Sequence, residues 1–239
     1  MAETSSKPVA LIVGAGTGLS ASFARQLSDA GYALNLAARS IGNLENLAAE
    51  TGARLHQVDG TDGEGIGQLV ESLRGDLRVA CYNPSARVRG PLTELDPETV
   101  RKAVEVTAYG AFLLGQAAAR RMLSQQPANG RRGTILFTGA SAGVKGFALS
   151  APFAMGKFAQ RGLAQAMARE LHPQGIHVAW VNIDGGIRNA SRPERTEALG
   201  NPDSMLDPDA IAAEYMHLIN QNRSTWSDEL VLRPWVERF

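Results

Sequence analysis

The first residues able to do chemistry are glycines. Gly14-Ala15-Gly16-Thr17-Gly18-Leu19-Ser20 follows the apolar run Pro8 to Val13 and opens a stretch with helical spacing. Backbone amides at such a turn can approach a pyrophosphate closely, and a helix N-terminus favours its charge. The bland reading is a glycine-rich turn with no ligand. Further on, Ala37-Ala38-Arg39-Ser40 ends a second apolar run, and no Asp or Glu lies between Ala33 and Ile41. A carboxylate there would grip the ribose 2′-hydroxyl of NAD. An arginine suits the 2′-phosphate of NADP, to which a guanidinium forms forked bonds. Arg39, with Ser40 beside it, therefore favours NADP(H) over NAD(H), unless Arg39 is an ordinary solvated arginine.

The elements that would position these residues follow from the pattern of apolar side chains. Runs at 8–13, 33–38, 53–58, 77–82, 133–137 and 175–183 read as strands. Stripes of helical period lie between them, at 19–30, 41–48, 66–73, 97–126, 152–172 and 207–220. Pro97 suits a first helical turn. The β-α alternation predicts a doubly wound parallel α/β sheet of the Rossmann type, with helices on both faces. No linker-like stretch divides the chain, so 1–239 reads as one domain. Residues 185–206 lack a strong period and read as a substrate lid or a mobile surface loop. The apolar ending 226–239 should pack on the body or on a partner subunit.

Composition removes other classes. The chain has 239 residues with 24 basic and 24 acidic side chains, a balance that argues against binding nucleic acid by bulk charge. One cysteine, Cys81, excludes an internal disulfide and a Cys-rich zinc site. His56, His172, His177 and His217 fall outside the motifs and are read neither as metal ligands nor as bases. No apolar run approaches a membrane span and the N-terminus lacks a signal-peptide core, so a cytoplasmic protein is expected.

At this point the sequence resembles the short-chain dehydrogenase/reductase family, over roughly residues 8 to 190. Asp59-Gly60-Thr61-Asp62 is similar to the D-x-T-D segment, whose first two residues flank the adenine in that family. Tyr82-Asn83-Pro84-Ser85 occupies the place of N-N-A-G, with Asn83 matching. The resemblance implies a nicotinamide cofactor held by Gly14, Gly16, Thr17, Gly18, Leu19, Arg39, Ser40, Asp59, Gly60, Asn83, Pro84 and Lys157. After the sixth strand, Ile183-Asp184-Gly185-Gly186-Ile187-Arg188-Asn189 replaces P-G-x-I-x-T. Allowing one inserted residue matches Gly185 and Ile187, which adds these two to the cofactor site. Asp184 then becomes either an anchor for a cationic substrate or a turn cap.

The catalytic positions depart from the family. Its Y-x-x-x-K appears as Phe153-Ala154-Met155-Gly156-Lys157, its serine as Ala140 and its asparagine as Thr107. A phenyl ring has no proton to give, and general acid–base help is worth roughly 10²–10⁴-fold. Lys157 can still hold the nicotinamide ribose hydroxyls. Ser141 is a candidate substitute hydroxyl. Tyr82 and Tyr109 are further candidate acids, each weighed against a packing role. The expected function is an NADP(H)-dependent oxidoreductase acting on an activated C=C or an imine. The alternative is a nucleotide-binding protein without turnover. The expected partners are a small-molecule substrate and, from the resemblance, further copies of the chain in a homodimer or homotetramer.

Overall fold

A computed structural model describes residues 7–197 and 200–237. Seven parallel strands form one sheet in the order β3-β2-β1-β4-β5-β6-β7. They are β1 Val9–Val13, β2 Ala33–Ala38, β3 Arg54–Gln57, β4 Leu77–Tyr82, β5 Gly133–Thr138, β6 Ile176–Ile183 and β7 Glu229–Leu232. The central strands are buried on both faces, which is why they read as continuous apolar runs rather than alternating ones.

Alternate residues feed two cores. Val9, Leu11 and Val13 join side chains from α3 (Gly63–Ser72), α5 (Gly110–Ser124) and α6 (Ala151–Leu171). Ala10 and Ile12 face α1 (Leu19–Asp29), α2 (Glu45–Thr51) and α7 (Pro208–Asn220). The helices thus cover both faces of a single-domain, doubly wound sheet, as expected from the sequence. No helix among the described residues is long and apolar enough to cross a membrane.

Three features differ from the sequence reading. The long helix from Pro97 ends at Ser124, and it is interrupted. α4 (Pro97–Val104) passes into a π-helical turn, Glu105–Tyr109, before α5 begins. The ending at 226–239 is more than a packing tail, because Glu229–Leu232 adds a seventh strand beside β6. Arg161 grips Glu229 with two bonds of 2.8 and 2.7 Å, which fastens that strand to α6. Trp235 beyond it is 80% exposed in the single chain, so it does not pack on the body. Finally, residues 185–206 hold one short bridge, Ile187 to Leu206, and a helical turn at Pro193–Arg195. Phe239 and the lid's Ala198 and Leu199 lie outside the described residues.

Candidate active site

Strand order reverses between β1 and β4, whose last residues Val13 and Tyr82 stand side by side. Open parallel sheets form their ligand crevice at such a switch point, outside the carboxyl ends of the strands. Here a cleft of about 540 Å³ lies at that place, within the range of small-molecule sites.

The glycine turn forms one wall. Gly14 has φ +78°, and a Cβ there would stand 2.5 Å from the Pro84 ring. Asn83 ties the turn down, since its amide donates to the Gly14 carbonyl at 3.2 Å and to the Ser20 hydroxyl at 2.8 Å. Ser20, where the family has its last glycine, donates in turn to the Gly14 carbonyl at 3.3 Å. A Cβ on Gly16 would meet nothing within 4 Å, so the backbone there is open to a ligand. The opening amides of α1 have no intrahelical acceptor and point outward from its N-terminus. These features fit a dinucleotide's pyrophosphate.

At the far end Arg39 and Asp59 line the same cleft. The Thr61 amide and hydroxyl donate to the Asp59 carboxylate at 2.9 and 2.8 Å. Together with the nearby Arg39 charge they hold that carboxyl below its usual range. Ser40 is exposed and does not line the cleft.

At the other end Phe153, Ala140, Lys157, Gly185 and Ile187 line the wall, whereas Asn189 reaches the glycine turn, where a Cβ on Gly18 would stand 3.0 Å from its amide nitrogen. Lys157 is 2% exposed. Its ammonium donates to the Thr138 carbonyl at 2.5 Å and to Gln160 Oε1 at 3.2 Å. Gln160 Nε2 donates onward to the Thr107 carbonyl at 3.1 Å. A chain of hydrogen bonds therefore joins Lys157 to the π turn. Burial, and then the Arg87 charge, push the Lys157 amine down to about 7. Two of its three N–H donors are engaged, which leaves one for a ligand.

Several candidate residues are placed elsewhere. Thr107 is fully buried behind the cleft, where its hydroxyl accepts from the Ala86 amide at 3.1 Å. Gly156 lies against it, for a Cβ at Gly156 would come within 2.8 Å of Thr107 Cβ. Ser141 opens the helical turn 141–143, outside the lining of the cleft. Tyr82 lines the cleft, but its hydroxyl donates to the Val106 carbonyl at 2.5 Å and burial pushes it well above its ordinary range. Tyr109 points to the surface, 50% exposed, and stacks on Phe112. Asp184 is buried beside Arg233 at 3.4 Å, outside the lining of the cleft.

Arg87, Arg192 and Arg195 also line the cleft, and the motif reading did not find them. They belong to loops with no fixed spacing from the motifs. The only sequence signal is a density of arginine in 87–89 and 188–195.

The family model described as short chain dehydrogenase matches residues 8–197. The chain belongs to the short-chain dehydrogenase family. An uncharacterized oxidoreductase of Staphylococcus aureus (strain N315) is 23% identical over 235 residues, covering 95% of this chain and 96% of that one. The crystal structure of a short-chain dehydrogenase from Rhodopseudomonas palustris has 30% identity and a TM-score of 0.79, over 95% of this chain and 99% of its own. A metagenomic short-chain oxidoreductase solved in complex with NADP superposes with a TM-score of 0.80 at 24% identity, over 96% of this chain and 98% of its own. In this short-chain dehydrogenase the glycine turn and Arg39 line one part of the cleft, and Phe153 and Ala140 line another.

Proposed function

We propose that the protein is an NADP(H)-dependent oxidoreductase whose proton-transfer residues are replaced. Its suited substrates are an activated C=C bond or an imine rather than a simple carbonyl. One observation carries the reading. The glycine turn, Arg39 and Lys157 line the same cleft as Phe153 and Ala140, two side chains with no proton to transfer. The solved metagenomic relative, which holds NADP, supports the choice of cofactor.

When bound, a nicotinamide supplies or accepts a hydride. The chain's own residues do the rest. The amides opening α1 hold the pyrophosphate and Arg39 forks onto the 2′-phosphate. In its protonated form Lys157 has a third N–H that would hold the nicotinamide ribose, while Gln160 and the Thr138 carbonyl fix the amine in place. Phe153 excludes water from the reacting carbon and gives no proton. A protonated imine needs none, because hydride uptake converts it directly to a neutral amine. An enone takes its proton on carbon from solvent.

A second reading, a nucleotide-binding protein without turnover, draws on Arg87. Its guanidinium covers the Phe153 ring at 4.6 Å, over the position where a substrate would meet the family's proton donor.

The test is direct. Purified protein is mixed with NADPH and a panel of ketones, enones and cyclic imines, and NADPH oxidation is followed. Turnover of enones or imines with little ketone turnover is expected, and the absence of NADPH oxidation with every member of the panel would sink the enzymatic reading. In the same experiment Arg39→Ala should weaken NADPH about 10- to 100-fold, the loss of a charge-assisted pair of about 1.5–3 kcal/mol, and leave NADH nearly unchanged. Equal losses for both cofactors would overturn the assignment of Arg39.

A further inference from the structure

The loop after β4 enters the cleft between two fixed points. The Ala86 amide donates to Thr107 Oγ1 at 3.1 Å, and the Gly90 amide donates to the Leu149 carbonyl at 3.1 Å. Between them Arg87 lays its guanidinium over the Phe153 ring, with Cζ 4.6 Å from the centroid. An aromatic face attracts such a cation but leaves its N–H edge free to meet a ligand. After β6, residues 189–195 fold back on themselves, with Asn189 against Gly18 and the Arg195 guanidinium beside Gly186. The Asn189 amide donates to the Arg195 carbonyl at 2.9 Å, and the Arg195 amide to the Arg192 carbonyl at 2.8 Å. This turn brings Arg195 and Arg192 to the same cleft.

Charges are unbalanced there. Arg39, Arg87, Arg192 and Arg195 line the cleft against one carboxylate, Asp59, at the far end beside Arg39. Among the described residues no ion pair joins Arg87, Arg192 or Arg195 to an acidic side chain. Burial, with the charges of Arg195 and Arg89, holds the Arg87 guanidinium below its usual range. Like charges converging without a counter-ion destabilise one another, and a bound anion removes that cost. A dinucleotide's phosphates belong with the glycine turn and Arg39. Arg87, stacked on Phe153, stands at the other end.

We infer that the Phe153 end of the cleft is an oxyanion subsite in which Arg87, assisted by Arg195, anchors a carboxylate or phosphate carried by the substrate. This deepens the function proposed above and rests on it for the placement of the nicotinamide. The replacement of the tyrosine then has a second meaning. A phenyl ring gives the guanidinium a flat apolar support, and a substrate acid is oriented by charge where the family orients a carbonyl by hydroxyl groups. The preferred substrate is an unsaturated or imino acid, or a phosphorylated analogue, rather than a neutral ketone.

The test is a binding comparison between matched anionic and neutral probes. Benzoate, phenyl phosphate and benzamide are titrated by calorimetry into protein saturated with NADPH, and separately into protein alone. Benzoate or phenyl phosphate should bind the NADPH complex at least tenfold more tightly than benzamide, about the worth of one charge-assisted bond. The tighter of the two anions identifies the acid. Arg87→Ala should remove the preference, Arg195→Ala should reduce it, and Arg87→Lys should keep part of it, because charge remains while the planar fork is lost. Equal binding of benzoate, phenyl phosphate and benzamide would overturn the subsite. So would a preference that survives in both alanine variants, or anions that bind only by displacing NADPH. An anion preference in protein that binds no NADPH would uphold the subsite and sink the cofactor reading instead.

Discussion

Lys157 sets the clearest consequence at the scale of one residue. Its amine sits among a carbonyl, an amide oxygen and an arginine, with no carboxylate among its hydrogen-bond partners. The folded protein therefore releases the lysine proton near pH 7, whereas the unfolded chain keeps it until about 10.5. Between these values the unfolded state binds more protons, so stability rises with pH. The limiting slope is about 1.4 kcal/mol per pH unit, and the burial cost is present in full below pH 7. Urea unfolding between pH 7 and 9 should show this rise in the unmodified protein, and Lys157→Met should flatten it. Parallel pH profiles for the two proteins would refute the assignment. The neighbouring replacements call for a different measurement. Phe153→Tyr with Ala140→Ser restores two hydroxyls to the cleft wall and should raise reduction of an activated ketone by about 10²-fold. Ketone turnover by the unmodified protein at about 1–10³ s⁻¹, the range of ordinary enzymes, would show that another acid already acts. At this scale the sequence was informative where motifs have fixed spacing, as at Gly14–Ser20, Arg39 and Lys157. It was silent on Arg87 and Arg195, whose position depends on how two irregular loops fold back over the sheet.

Among the elements, the π turn at Glu105–Tyr109 governs the rear of the site. In a π turn the Gly110 amide bonds the Glu105 carbonyl, which frees the Val106 carbonyl from the helical ladder. The Tyr82 hydroxyl donates to that freed carbonyl at 2.5 Å. Gly110 makes room for it, because a Cβ there would overlap the hydroxyl and stand 2.6 Å from the Gly60 carbonyl. Tyr82→Phe should thus cost about 1–3 kcal/mol, the range for leaving a buried acceptor unsatisfied. Gly110→Ala should cost more, because it collides with backbone as well as side chain. Urea midpoints compared at constant m-value would decide. A neutral Tyr82→Phe would mean that the carbonyl finds another donor. Apolar periodicity predicted one regular helix from Pro97 and so missed the π turn at Glu105–Tyr109. The five-residue turn changes which side chains share a face, and no residue type in Glu105–Tyr109 announces it. The strands and their order of burial were legible because both faces of each central strand are apolar. β7 was not, because none of its four residues is fully buried at the sheet edge.

For the whole molecule, the unsettled question is what covers its apolar surface. Tyr109 and Phe112 stack on each other at the start of α5 and are 50% and 39% exposed. Met155 and Phe158 are three apart on α6, hence on one face of it, and are also exposed. Isolated exposed apolar residues are normal, but stacked aromatics on one helix and a second apolar pair on another exceed that background. The resemblance to the family led to the expectation of a homodimer or homotetramer, and these helices offer the surface for it. Trp235, beyond β7, offers another. Light scattering at low micromolar concentration should therefore give a mass two or four times the 25.4 kDa of one chain. Tyr109→Glu with Phe112→Glu should halve it, since two buried carboxylates at a dry contact are costly without partners. If the mass falls with Trp235→Ala instead, the contact lies at the β7 edge and the helical surface is free. A 25.4 kDa species in the unmodified protein would end the oligomer proposal.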